Sequence, residues 1–263
     1  MENVRFFQSQ YDGIQLIEAH YHEFAFHRHY HLDVHIGLIT KGSQDFIFKG
    51  SQHHANAGQF VIMPPDELHD GQTKLDEGYE TKVFSIDPQW FNDYLDQPSI
   101  QTIPDFQQLI IDDSELFTRL NFLHGQMISS QYSQLTQDCL PLDCFEMIVD
   151  RYANSKIKQS VSLGSQSIES LRDYIMANLD QPIRLNELAS LCQLSPSQFQ
   201  RQFKSKMAMP PYAWLSRLRM EEALSLLLQG RSSTDVAMLV GFYDQAHFVR
   251  AFKTCYGITP SQV

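Results

Sequence analysis

The chain has 263 residues, 31 acidic against 20 basic, for a formal net charge of −11. That balance excludes a bulk affinity for nucleic acid, and the length suits two domains that each bury a core. No stretch approaches 18 apolar residues and no basic-then-apolar leader opens the chain, so a soluble, cytoplasmic protein without a membrane partner is expected.

Taken in chain order, short strands are expected over 14–20, 24–39, 44–49, 59–63 and 79–86. Turn residues separate them at Lys41-Gly42-Ser43, Lys49-Gly50-Ser51, Ala57-Gly58 and Pro64-Pro65-Asp66. Such a density of strands points to a small β-barrel or two-sheet roll. Nine of the eleven histidines lie here, before residue 70. A strand period of two puts His27, His29, His31, Asp33 and His35 on one face. Phe26, Tyr30, Leu32, Val34 and Ile36 take the other.

A short helix is expected over 88–95, then two amphipathic helices over 113–131 and 134–153, the second with Pro141 as a kink or start. Leu116, Leu120, Leu123 and Met127 line the first; Leu140, Cys144, Ile148 and Tyr152 line the second. These faces need covering, by the barrel or by a second subunit. Residues 154–166 are small and polar, and read as a linker. Domains are therefore expected at 1–153 and 167–263. The charge divides the same way: residues 1–165 carry −13 and residues 166–263 carry +2. Cys139, Cys144, Cys192 and Cys255 show no metal-ligand spacing and read as buried thiols.

The last third holds a repeat. Phe199, Arg201, Phe203, Lys204, Ala208 and Pro211 recur 49 positions later as Phe248, Arg250, Phe252, Lys253, Gly257 and Pro260. Phe at i and i+4 makes a buried helical stripe, with Arg and Lys on the free side. A short helix precedes each copy, over 185–192 and 234–240. Ser195 with Pro196 caps the first stripe helix, and Asp244 caps the second. Each pair is a helix-turn-helix unit. A long helix over 212–229 holds the two units apart, and a separation of roughly 34 Å suits successive major grooves of double-stranded DNA. Ser197, Gln200 and Arg201 should point outward from the first stripe helix, with Lys204 beyond. Gln245, His247 and Arg250, with Lys253 beyond, should do so from the second. Arg and Gln suit base edges, and Lys suits phosphates.

These residues resemble the DNA-binding domain of AraC/XylS-type transcription regulators, most closely from Asp235-Val236-Ala237 through Gly241-Phe242 to Gly257-Ile258-Thr259-Pro260. Ala208 departs from the glycine usual in that family. The resemblance implies an α+β two-domain protein: a cupin-like β-barrel with trailing helices, then an all-α domain of two helix-turn-helix units. It also implies a small-molecule effector, a homodimer and, for an activator, contact with RNA polymerase.

The first domain resembles the two cupin motifs. His29-Tyr30-His31, three residues, His35, six residues and Gly42 match the first motif, with His35 in place of glutamate. Gly58, Pro64-Pro65-Asp66 and His69 match the second, with Asp66 in place of glycine. The matching positions in metal-binding cupins are ligands, so His29, His31, His35 and His69 are candidates for a Zn, Fe, Ni or Cu site. In sensor cupins the same positions line an effector pocket, here His29, His31, His35, Asp66 and His69. A metal-dependent dioxygenase is the enzymatic alternative. The fused helix-turn-helix pair argues for a non-enzyme, and a barrel serving only to dimerise would carry an apolar interior instead.

Overall fold

The alternating first third becomes eight strands, and a ninth follows, in the computed structural model, which describes residues 2–73, 77–94, 104–129, 132–154 and 163–263. They are β1 (Asn3–Gln8), β2 (Ile14–Tyr21), β3 (Phe26–His29), β4 (Val34–Phe48), β5 (Ser51–Asn56), β6 (Phe60–Met63), β7 (His69–Gly71), β8 (Tyr79–Ile86) and β9 (Ile110–Ile111). One path runs β1-β2-β8-β4-β6-β9. The second half of β4 pairs with β5, while β7 links β3 to the end of β4. Thus β4 serves both layers, and the path ends at β1 and β9 without closing. The expected barrel is an open two-layer roll.

The break expected at Lys41-Gly42-Ser43 is absent, because β4 runs through it. The register shifts between Ile39 and Lys41, and Gly42 takes φ +71°. A Cβ there would lie 2.2 Å from the Gly78 carbonyl oxygen. Gly42 therefore permits a close backbone approach inside a strand rather than a turn between two. Residues 30–33 lie between β3 and β4, so a single strand over 24–39 does not form either.

Three helices follow: α1 (Pro88–Tyr94), α2 (Ser114–Ile128) and α3 (Gln134–Tyr152), with Pro141 inside α3. Asp113 caps α2 by accepting from Leu116 N, and it also receives Arg151 Nη1 at 2.7 Å and the Tyr152 hydroxyl at 2.9 Å. Leu116, Leu120 and Leu123 are buried, as are Cys144 and Ile148. Phe145 stands edge-on to Phe84 and Trp90, at 5.5 and 5.2 Å between ring centroids. Met127, Leu140 and Tyr152, at the ends of the two stripes, are only partly buried. By internal contacts the chain forms two units, Met1–Gln131 with Leu140–Lys158, and Tyr132–Cys139 with Gln159–Val263. Most of the expected linker 154–166 lies outside the described residues.

The second unit contains α4 (Ser165–Ala177), α5 (Leu185–Leu191), α6 (Pro196–Met207), α7 (Pro211–Leu228), α8 (Ser233–Leu239) and α9 (Gln245–Tyr256). Ser195 Oγ accepts from Gln198 N, and Asp244 Oδ1 accepts from His247 N, so both caps form as expected. Phe199, Phe203, Phe248 and Phe252 are fully buried. Phe203 packs on Trp214 of α7, while Phe248 and Phe252 pack with Met220, Ala223, Leu227, Val236 and Ala237. Asp138, at the start of α3, accepts from Leu185 N at 2.9 Å and Arg184 Nε at 3.0 Å, which ties down the start of α5. No described helix is long and apolar enough to cross a membrane.

Candidate functional site

A cavity of about 250 Å³ lies between the layers of the first unit. Period-two positions build its walls: Ile17, Ala19 and Tyr21 from β2; His35 and Gly37 from β4; Val61 and Met63 from β6; Tyr79, Thr81 and Val83 from β8. His29, His31, His35 and His69 all line it, as expected, together with Phe26, Phe46 and Asp70. Phe26, expected on the opposite face from His29, lines the cavity with it. Both reach the cavity because β3 ends at His29 and the pairing of β3 with β7 is irregular between them.

Three of the four histidines are oriented by backbone carbonyls. His29 Nδ1 lies 2.8 Å from the His27 carbonyl oxygen, His31 Nδ1 2.6 Å from that of Asp33, and His69 Nδ1 2.9 Å from that of Glu67. A carbonyl only accepts, so each of these Nδ1 atoms carries the proton and Nε2 keeps its lone pair in the neutral ring. His31 Nε2 is buried without a hydrogen-bond partner among the described residues. His35 has the opposite tautomer. Ser85 Oγ donates to Asp33 Oδ2 at 2.6 Å, so it must accept from His35 Nε2, 3.0 Å away. Burial lowers the pKa of His31 to about 4 and of His35 to about 3, and it also lowers that of His69. His31, His35 and His69 are therefore neutral imidazoles at pH 7.

The metal reading fails on this geometry. Among the described residues no group of three or more His, Cys, Asp or Glu side chains is arranged to hold a metal ion. The His31 and His35 rings stack face to face, 3.5 Å apart and 16° from parallel. Lone pairs lie in the ring plane, so two stacked rings direct them along separate planes instead of toward one point. Asp66 is also misplaced as a pocket residue. It is exposed at φ +59°, a left-handed position that aspartate tolerates, which accounts for its standing where the motif has glycine. Its backbone N–H donates to the His31 carbonyl and so positions the loop carrying that histidine. Ser85, Tyr79 and Thr81 were missed, although Tyr79-x-Thr81-x-Val83-x-Ser85 is a legible alternation on one strand.

The two stripe helices differ in access. On α9, Gln245, His247, Arg250 and Lys253 are exposed, as expected, and Tyr243 in the preceding turn is fully exposed. On α6, Arg201 and Lys204 are half-buried, whereas Ser197 and Gln200 are fully enclosed. The outward placement expected for those two does not hold. Gln200 Nε2 donates to the Cys139 carbonyl oxygen at 3.1 Å, so the start of α3 covers this part of α6.

A histidine-lined cavity in one unit and paired helix-turn-helix elements in the other define a ligand-binding, DNA-binding regulator. Residues 13–142 match the AraC-like ligand binding domain family, and residues 188–263 match a helix-turn-helix domain family. The chain belongs to the AraC family of transcription regulators. It is 24% identical over 223 residues to the HTH-type transcriptional regulator YbfI of Bacillus subtilis, covering 84% of this chain and 81% of that one. It is 27% identical over 237 residues to the arabinose operon regulatory protein of Salmonella typhimurium, covering 86% and 82%. Apo ToxT from Vibrio cholerae aligns with a TM-score of 0.42 at 16% identity, covering 97% of this chain and 98% of that one.

Proposed function

We propose that a small effector held among His29, His31, His35 and His69 controls how the two helix-turn-helix units engage promoter DNA. The exposed polar face of α9 carries this reading: four polar side chains project from a helix whose opposite side is buried. Arg250 and Gln245 read base edges, His247 lies beside them, and Lys253 holds a phosphate. Arg201 and Lys204 take the matching roles on α6. Ser197 and Gln200 join them when the start of α3 withdraws from α6. An effector shifts transcription only by binding one of these arrangements better than the other. The partners in this reading are duplex DNA, the effector, a second copy of the chain and, for activation, RNA polymerase, all in the cytoplasm. The action is binding rather than catalysis.

The test is operator affinity of the full chain. Arg250→Ala weakens specific binding by about 1–3 kcal/mol, roughly 5- to 150-fold, and relaxes preference at one base pair. Equal affinity and equal preference in wild type and variant would refute the assignment.

A further inference from the structure

The polarity of the cavity narrows what it can hold. His29, His31 and His69 sit together, with the His69 ring centroid 4.4 Å from that of His29 and 4.9 Å from that of His31. All three have Nδ1 committed to a backbone carbonyl, which leaves Nε2 as an acceptor. The cluster therefore presents lone pairs, and an uncharged ligand satisfies it only by supplying hydrogens. Asp70 adds a further acceptor to the lining, and no lysine or arginine lines the cavity among the described residues. The remaining wall is largely apolar or aromatic, with Phe26, Phe46, Ile17, Val61 and Val83, and is broken by the polar side chains of Gln44 and Thr81. A volume of about 250 Å³ holds roughly eight water-sized groups, the size of one ring with a few substituents.

We infer that the cavity takes a compact, neutral ligand with two adjacent hydroxyl groups on an aromatic ring, the catechol class, one hydroxyl donating to Nε2 of His31 and the other to Nε2 of His29 or His69. The inference rests on the cavity being the effector site. A carboxylate carries no hydrogen for these lone pairs, and it would have to drive a proton onto His31 or His69, whose burial opposes their charge. A sugar would present hydroxyls on all sides, and those facing Phe26, Phe46, Ile17, Val61 and Val83 would have no partner.

The experiment is calorimetry on the full chain with four probes of similar size: catechol, 1,2-dimethoxybenzene, benzoate and benzylamine. Each is titrated into wild type and into His31→Phe, which keeps a ring but removes one acceptor. Catechol is expected to bind best, and His31→Phe is expected to weaken it about tenfold while leaving dimethoxybenzene unchanged. Tightest binding of dimethoxybenzene, benzoate or benzylamine, with loss in His31→Phe, would keep the cavity as the ligand site and overturn the hydroxyl assignment. Catechol binding that His31→Phe leaves untouched would overturn the cavity as the effector site. Failure of all four at millimolar concentration, with circular dichroism showing both proteins folded, would overturn the ligand class.

Discussion

Gly241 sits in the turn between α8 and α9 at φ +75°, and an alanine there tests how the second helix-turn-helix unit is held. A Cβ at this position would lie 2.3 Å from the Leu179 carbonyl oxygen and 2.6 Å from Arg219 Nη2. Arg219, buried on α7, donates from Nη2 to the carbonyl oxygens of Leu179 and Gln181 at 2.8 and 3.3 Å. The left-handed backbone alone costs a non-glycine residue about 1–2 kcal/mol. Displacing the guanidinium forfeits a charged hydrogen bond in a buried setting, about 1.5–3 kcal/mol more. Gly241→Ala should therefore lose about 2.5–5 kcal/mol, a large part of the roughly 5–15 kcal/mol that holds a typical domain. Urea unfolding of the full chain, followed by helical circular dichroism, measures this. In an Arg219→Met background the same substitution should cost at least about 1 kcal/mol less, because the displaced group is already gone. A wild-type midpoint for Gly241→Ala, or strict additivity of the two changes, would refute the reasoning.

Ala208 ends α6 at φ +54°, where the matching residue of the second unit is Gly257 at φ +77°. Ala208→Gly should stabilise the second unit by about 0.5–1 kcal/mol, relief of strain exceeding the added freedom of the unfolded chain, and a lowered thermal midpoint would contradict this. The first unit should be acid-sensitive. Burial lowers His35 to about 3 and His124 to about 4, so between these values and the ordinary 6.5 the unfolded chain binds more protons than the folded one. Stability is full above pH 6.5 and declines as pH falls below it. From these two residues alone, on the order of 3–4 kcal/mol should be lost by pH 5. Urea midpoints read at Trp90 and flat from pH 7 to pH 5 would contradict it.

Legibility in the sequence followed how local the cause was. The caps at Ser195 and Asp244, the buried phenylalanine pairs and the long α7 depend on neighbours within a turn or two, and they formed as expected. The cavity histidines were found because four of them converge from motif positions on β3, β4, β7 and the loop between β3 and β4. Their chemistry was not legible, since stacking of His31 on His35 and the carbonyl partner of each Nδ1 depend on where the loops around 30–33 and 64–68 turn. Gly42 misled for a similar reason. A glycine that ends a strand and one that admits a crossing backbone look alike until Gly78 is beside it. Enclosure of Gln200 was invisible because its cause, the Cys139 carbonyl, lies 61 residues earlier.

The central claim is that α6 and α9 read DNA as a pair, and selection of bound sites from random duplexes tests it most directly. Wild-type full chain, Arg201→Ala and Arg250→Ala would each be selected and sequenced. The account predicts two short half-sites about one helical turn apart, roughly 10 base pairs, with each variant erasing preference in a different half-site. A single half-site, or the same enriched sequence for all three proteins, would contradict it.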